Sequence, residues 1–235
     1  MKWNITGNSA FQRVEINLAN GERVQIASGC MIYHNGRVEL KGKLNTGDEK
    51  KGLGGLLKAA ARSVVTGESM FITEVVALSD GAMIAIAPGC PGEVRELKVG
   101  AGSQWRIRDQ AFLACDSSAS YSVVKQSLGK AIFGGTGGLF IMETTGDGSF
   151  LIDSYGDMVE VTLDGSEPFI VDNNHVVAWS ASLDYNIEIA SGSFGFMSGE
   201  GLVNKFNGSG TIYISTRNAE SLANVLKPFF PTSSS

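Results

Sequence analysis

The feature that most constrains this chain is a strand pattern that returns twice. Ile16 and Leu18 alternate with polar residues, and Gly21 follows in a turn. Val24 and Ile26 alternate again, and an apolar run closes the group at Met31, Ile32 and Tyr33. A period of two puts alternate side chains on one buried face of a strand. Leu97 and Val99 repeat Ile16 and Leu18 at an offset of 81 (97 − 16). At the same offset Gly102 matches Gly21, Trp105 and Ile107 match Val24 and Ile26, and Phe112 and Leu113 match Met31 and Ile32. A further offset of 64 (161 − 97) brings Val161 and Leu163, then Phe169 and Val171, then Val176 and Val177, with the glycine displaced to Gly165.

The second half of each group repeats as well. Met83 and Ala85 follow Gly81, Phe150 and Ile152 follow Gly148, and Ile212 and Ile214 follow Gly210. These offsets are 67 (150 − 83) and 62 (212 − 150), which leaves 14 extra residues (81 − 67) in the first copy. Repetition at this period signals a repeat architecture. Asn20-Gly21 is a hairpin signal, and Ser198 to Arg217 reads as two strands joined by a tight glycine turn. Short strands punctuated by Gly, Asn and Asp favour rolls of two packed sheets over βαβ units. The expectation is an all-β chain of three tandem rolls, each of two packed sheets, closing into a pseudo-threefold ring, with short helices in an insertion and at the C-terminus. The units are placed at residues 1–91, with the insertion at about 42–67, at 92–155 and at 156–218. A helix and tail follow at 219–235.

Composition narrows the function classes. Thirty glycines against 5 prolines indicate tight turns rather than a disordered linker. Nineteen basic against 24 acidic residues give a net charge of −5 with no Lys/Arg block, which counts against nucleic acid as a partner. The first residues lack the apolar core of a secretory signal, and no run approaches the roughly 20 apolar residues of a membrane span. Cys30, Cys90 and Cys115 are odd in number and widely spaced, so free thiols in a reducing cytoplasm are expected.

The insertion departs from the repeat. Leu53, Leu56, Leu57, Ala60 and Val64 fall at helical spacing, with Lys58 and Arg62 off that stripe. Two readings stand. The segment is an amphipathic surface for a protein partner or a membrane, with Leu53, Leu56, Leu57, Lys58, Arg62 and Val64 as candidate contacts. Alternatively it covers an open end of the body. After the third unit, Asn218 can cap a helix through Leu222, Ala223, Val225 and Leu226 that Pro228 ends.

Chemistry-bearing residues are sparse. Two histidines in separate units do not make a metal-dependent barrel enzyme. Cys30, Ala111 and His175 are repeat-equivalent, as are His34, Cys115 and Trp179; convergence on an axis would make a soft-metal site, and Ala111 and Trp179 cannot ligate. Asp172 precedes His175 by three residues, but no Gly-x-Ser-x-Gly elbow completes a triad. Gly134 to Gly138 and Gly52 to Gly55 lack the Gly-Lys-Ser/Thr of a phosphate loop. No catalytic residue, metal or cofactor is assigned.

Asp172-Asn-Asn-His-Val-Val-Ala-Trp, Asp184-Tyr-Asn-Ile, Ser198-Gly-Glu-Gly-Leu-Val and Gly210-Thr-Ile-Tyr-Ile-Ser-Thr-Arg217 together resemble the altered-inheritance-of-mitochondria family. Gly67-Glu-Ser-Met-Phe and Ala87-Pro-Gly-Cys-Pro-Gly92 fit it too. The resemblance implies a TRAP-like fold of three short double-stranded β-helix (jelly-roll-like) units in a ring, no reaction, and eukaryotic relatives tied to mitochondrial inner-membrane organisation. The start has no Arg-rich presequence, so a bacterial cytoplasmic protein is expected. The expected function is a non-enzymatic structural or protein-interaction module, with a membrane surface as a further contact and a homo-oligomer compatible. The alternatives are a small-ligand or nucleic-acid binding ring, by analogy with the trp RNA-binding attenuation protein, and a divergent enzyme.

Overall fold

The structure is a computed structural model that describes residues 1–44, 71–125, 140–190 and 201–230. The first strands are β1 (Lys2–Thr6), β2 (Arg13–Leu18), β3 (Arg23–Ala27), β4 (Met31–His34), β5 (Val38–Leu44), β6 (Phe71–Ala77) and β7 (Ala82–Ile86). Six more follow: β8 (Val94–Val99), β9 (Trp105–Arg108), β10 (Phe112–Asp116), β11 (Ser120–Lys125), β12 (Phe140–Thr145) and β13 (Gly148–Asp153). The last six are β14 (Met158–Asp164), β15 (Phe169–Asp172), β16 (Val176–Ser180), β17 (Asp184–Ile189), β18 (Leu202–Asn207) and β19 (Ser209–Ser215). A helix, α1 (Ala219–Leu226), closes the described chain. The fold is all-β, built of antiparallel sheets with one short C-terminal helix.

Apart from β1, the strands pair by one rule used three times. The first, third and sixth strands of each set of six pair together: β4-β7-β2, β10-β13-β8 and β16-β19-β14. The second, fourth and fifth do likewise: β5-β6-β3, β11-β12-β9 and β17-β18-β15. A β-bulge falls at the same place in all three sets, between Met31 and Tyr33, Phe112 and Ala114, and Val176 and Ala178. The pairing pattern is compatible with three tandem rolls.

Two details differ from the sequence reading. β2 and β3 do not pair with each other, so Asn20-Gly21 is a corner rather than a hairpin. β18 and β19 likewise belong to different sheets, so Gly208 is also a corner. Gly21, Gly102 and Gly165 sit at one corner of each set with φ of +78°, +80° and +88°. Gly81, Gly146 and Gly208 sit at the other with φ of +71°, +76° and +96°. Only glycine takes that conformation without steric cost, which explains why sequence alone flags these turns but not which sheet the chain enters next. The second difference is one of register. Val14 opposes Ile86 and Arg95 opposes Ile152, so the last strands are offset by 66 (152 − 86), not 67. The first set therefore holds 15 extra residues (81 − 66) rather than 14.

Three hydrophobic clusters fill the rolls, and each includes residues from a neighbouring set, the third through Ile141 of the second. Val14, Ile16, Val24, Ile26, Ile84 and Ile86 form the first with Leu113, Ala114 and Leu151 from the second set. Ile107, Phe112, Phe150 and Ile152 form the second with Val177 and Ala178 from the third. Trp179, Phe206 and Ile212 form the third, where Trp179 lies 5.0 Å from Tyr185 and 5.7 Å from Phe206, edge to face. Each fully buried Ile, Leu or Phe contributes about 1.5–3 kcal/mol of transfer free energy.

Two ladders join the sets. β3 pairs with β10, placing Ala114 opposite Ile26 and Cys115 opposite Gln25. β9 pairs with β16 in the same register, Ala178 opposite Ile107 and Trp179 opposite Arg106. Parallel bridges from Phe11 to Gly92 and from Gly92 to Gly156 stack the starts of successive sets. A closed pseudo-threefold ring would need a third ladder between β15 and β4. Both strands end their sheets, and no such ladder is present among the described residues.

Gly92 sits where the sets touch. A Cβ there would stand 1.8 Å from the Ser154 carbonyl oxygen, whereas one at Gly89 would meet nothing within 4 Å. Gly92→Ala is expected to cost about 1–3 kcal/mol, the range for overpacking. Gly89→Ala should stay within about 0.5 kcal/mol. Urea unfolding of both variants checks this, and equal midpoints would refute the close approach.

Candidate functional site

Two surfaces stand out. The first is the unpaired edge of β4. Its equivalents in the other sets are buried: Phe112, Leu113 and Ala114 in β10 are 5, 2 and 0 % exposed, and Val176, Val177 and Ala178 in β16 are similarly covered. In β4, Met31, Ile32 and Tyr33 are 41, 48 and 41 % exposed. The difference lies in the neighbour, because β10 and β16 each have a strand from the preceding set against them and β4 has none among the described residues. β15 is the matching vacancy at the other end, and Ile170 there is 59 % exposed. Unpaired strand edges present rows of free N–H and C=O groups that template pairing.

The internal junctions show how such an edge is used. Arg106 on β9 donates to the carbonyl oxygens of Ala181 and Leu183, at 3.2 and 3.0 Å, and to Glu143 at 2.8 Å. Its guanidinium carbon lies 5.5 Å from the centre of the Tyr185 ring. At the earlier junction the equivalent residue is Gln25, whose Oε1 accepts from Tyr121 Oη at 3.3 Å. Tyr121 and Tyr185 are repeat-equivalent (185 − 121 = 64). The same two positions thus meet across both junctions.

The second surface is a cleft of about 430 Å³ where the second and third sets meet the start of α1. Arg108, Asp153, Tyr155, Asn174, Arg217 and Glu220 line it. Burial draws the Arg108 guanidinium below its ordinary range, against the opposing pull of Asp172 and Asp109. Its Nη1 donates to the Asn173 carbonyl oxygen at 2.5 Å. Burial pushes the Asp153 carboxyl up to about 7, with only its own backbone N–H acting the other way. The Cys30 thiol is pushed up to about 12 by burial and then by the Asp153 charge. A thiol held so high is protonated at neutral pH and a poor nucleophile.

The residues weighed for chemistry are not assembled. His175 Nδ1 donates to the Ser215 carbonyl oxygen at 2.7 Å, and Asn218 Nδ2 donates to Nε2 at 2.8 Å. Asn218 Oδ1 in turn accepts from the Ser221 N–H at 2.7 Å and caps α1. His175 therefore orders the helix start, and both of its ring nitrogens are occupied. Asp172 accepts from the Asn174 N–H at 2.7 Å, a local turn rather than a dyad with His175. His34 Nδ1 accepts from the Gly36 N–H at 3.0 Å. Cys115 is buried with its thiol pushed up by burial and by Asp116, in reach of Gln25. Among the described residues no three His, Cys, Asp or Glu side chains group as metal ligands. The insertion residues Leu53, Leu56, Leu57, Lys58, Arg62 and Val64 lie outside the described residues. The exposed edge at Met31 to Tyr33 was not separable by sequence, since its apolar pattern matches strands that are buried.

The comparisons agree with this all-β architecture. A Streptococcus pyogenes protein solved by X-ray crystallography superposes with a TM-score of 0.78 at 42 % identity, over 97 % of this chain and 99 % of that one. An uncharacterized protein of Streptococcus pyogenes serotype M6 is 46 % identical over 237 aligned residues, covering 100 % of this chain and 93 % of the relative. The profile of the family described as Mitochondrial biogenesis AIM24 matches residues 3–217, nearly the whole chain. With that span and those identities, the chain belongs to the AIM24 family.

Proposed function

We propose that the chain is a non-enzymatic structural module that works in the cytoplasm by protein contact, through its vacant sheet edges. The observation that carries this reading is the exposed apolar edge at Met31, Ile32 and Tyr33, whose equivalents are buried in both other sets. The family description names a biogenesis process rather than a reaction, which favours an organising role. Among the described residues no helix is long and apolar enough to cross a membrane, so any membrane role would run through surface contact. The insertion remains a second contact surface for a protein or membrane.

Affinity purification from native cells, with wild type and Ile32→Glu side by side, tests this. Ile32 is 48 % exposed, so the variant should unfold within about 0.5 kcal/mol of wild type. At least one polypeptide, whether another protein or a further copy of the chain, should be retained by wild type and reduced several-fold by the variant. Identical sets would overturn the reading, as would turnover of a small molecule by the purified chain.

A small-ligand module is the second reading, favoured by the cleft at Arg108 and Asp153. It rests on a buried carboxyl poised near neutrality. A raised folded pKa means that the native state holds its proton longer than the unfolded chain, so stability falls as pH rises from about 4 to about 7. Asp153→Asn cannot ionise and should gain on wild type across that window, by several-fold in the folding equilibrium constant. Urea midpoints from pH 4 to 8 would show it, and parallel curves would contradict a desolvated Asp153.

A further inference from the structure

Repetition gives the cleft at Arg108 and Asp153 an internal control, because each of its charged positions recurs elsewhere in the chain. Asp153 is equivalent to Ala87 (153 − 66) and Ser215 (153 + 62). Arg217 is equivalent to Tyr155 (217 − 62) and Gly89 (155 − 66). Arg108 is equivalent to Ala27 (108 − 81) and Asp172 (108 + 64), where the aspartate closes a turn. The strands therefore form at these places with alanine, serine, glycine or tyrosine. The buried carboxyl and the two guanidinia gathered in this one cleft are not what the fold itself requires.

These groups are also short of partners. Among the described residues no cation or side-chain donor reaches the Asp153 carboxyl, and its own backbone N–H alone favours its charge. A desolvated carboxylate without a partner is unfavourable, and alanine at Ala87 avoids that cost. Neither arginine draws the carboxyl down, so both guanidinia stand beyond the roughly 4–6 Å over which an opposite charge acts strongly. Glu220 is engaged elsewhere, since its Oε2 accepts from Asn174 Nδ2 at 2.9 Å. The arginines form a separate, cationic part of the cleft. The Arg217 N–H donates to the Tyr155 carbonyl oxygen at 3.1 Å, and a Cβ at Gly156 would stand 3.0 Å from Arg217 Cγ, so the stem of that side chain is packed in place. No carboxylate pairs with its guanidinium among the described residues, and Arg108 donates to a neutral acceptor, the Asn173 carbonyl oxygen. Ala219 and Glu220 open α1 in the same wall, and the first-turn N–H groups of a helix favour anions.

We propose that this cleft binds a small zwitterion of the amino-acid type, its carboxylate held by Arg108 and Arg217 and its ammonium by Asp153. This names the ligand class of the small-ligand reading given above and rests on that reading. The volume of about 430 Å³ lies within the usual range for small-molecule sites. A lone anion would leave the carboxyl unpaired, and a lone amine would leave the arginines so. A molecule that carries both groups satisfies each, and the distance between its charges is what the cleft selects. The pairing also fixes the sense of the pH dependence. An ammonium pairs with the ionised carboxylate, so affinity rises as Asp153 loses its proton near pH 7. A simple anion that took a hydrogen bond from the protonated carboxyl would show the reverse. Arginines keep their charge at these pH values, and the Cys30 thiol beside Asp153 stays protonated. Cys90, Tyr155 and Glu220 are the other titratable groups lining the cleft.

Calorimetric titration of the full chain tests this with glycine, γ-aminobutyrate and ε-aminocaproate, beside butylamine and butyrate. At least one zwitterion should bind about tenfold or more tightly than butylamine and butyrate, with an affinity that rises several-fold from pH 6 to pH 8. Asp153→Asn should remove that pH dependence and weaken binding at pH 8 by at least about tenfold, as expected when one member of a desolvated charge pair is lost. Arg217→Ala should weaken binding and leave the pH dependence in place. Butyrate or butylamine bound as tightly as the best zwitterion overturns the ligand class and leaves the small-ligand reading standing. A zwitterion bound equally well by wild type and both variants overturns the assignment to this cleft. Absence of binding by every compound overturns the proposal together with the reading it rests on.

Discussion

The structure depends on one contact, the antiparallel ladder that ties a strand of one set to a strand of the next. It occurs as β3 with β10 and as β9 with β16. Each ladder fuses two three-strand halves into a six-strand sheet, and the hydrophobic clusters follow the sheets rather than the sets. Leu113, Ala114 and Leu151 serve the first cluster and Val177 and Ala178 the second. A set removed from its neighbour would lose part of its own core, so the sets are not independent beads. Antiparallel edges that are not paired are a hazard for any β protein, and here pairing is managed at two junctions and, among the described residues, left open at two ends.

Much of this was legible in the residues. Alternation at Ile16 and Leu18, Val24 and Ile26 and their counterparts marks the buried faces, and the glycines mark the corners. The family resemblance carried by the motifs around His175 and Gly210 agrees with the family match. What alternation cannot show is which sheet a strand joins after a tight turn. Gly21 and Gly208 look like hairpin turns because the local backbone is the same for a hairpin and for a corner; the partner strand decides, and it is distant in sequence. The slip of one residue in the last-strand offset has a similar cause. Both Met83 and Ile84 are apolar, and only the ladder, with Ile16 opposite Ile84, selects between them.

The candidate surfaces were legible in a different way. Met31, Ile32 and Tyr33 carry the same apolar signature as Phe112 to Ala114, so sequence assigns them to a core. Burial of an edge strand is a property of its neighbour, and the neighbour of β4 is not supplied by the described chain. The pair Asp172 and His175 shows the reverse case, where proximity in sequence suggests chemistry and the hydrogen bonds show structure. Asp172 closes a turn, and His175 holds Asn218 at the start of α1. The cleft at Arg108 and Asp153 is assembled from two sets and the helix, which no local motif announces.

Amide hydrogen exchange tests the central claim most directly. If the ladders between sets tie the fold together, the amides of β10 and β16 should be among the most protected in the chain, while those of β4, which has a ladder partner on one side alone among the described residues, should exchange faster. Equal protection of β4, β10 and β16 would contradict it.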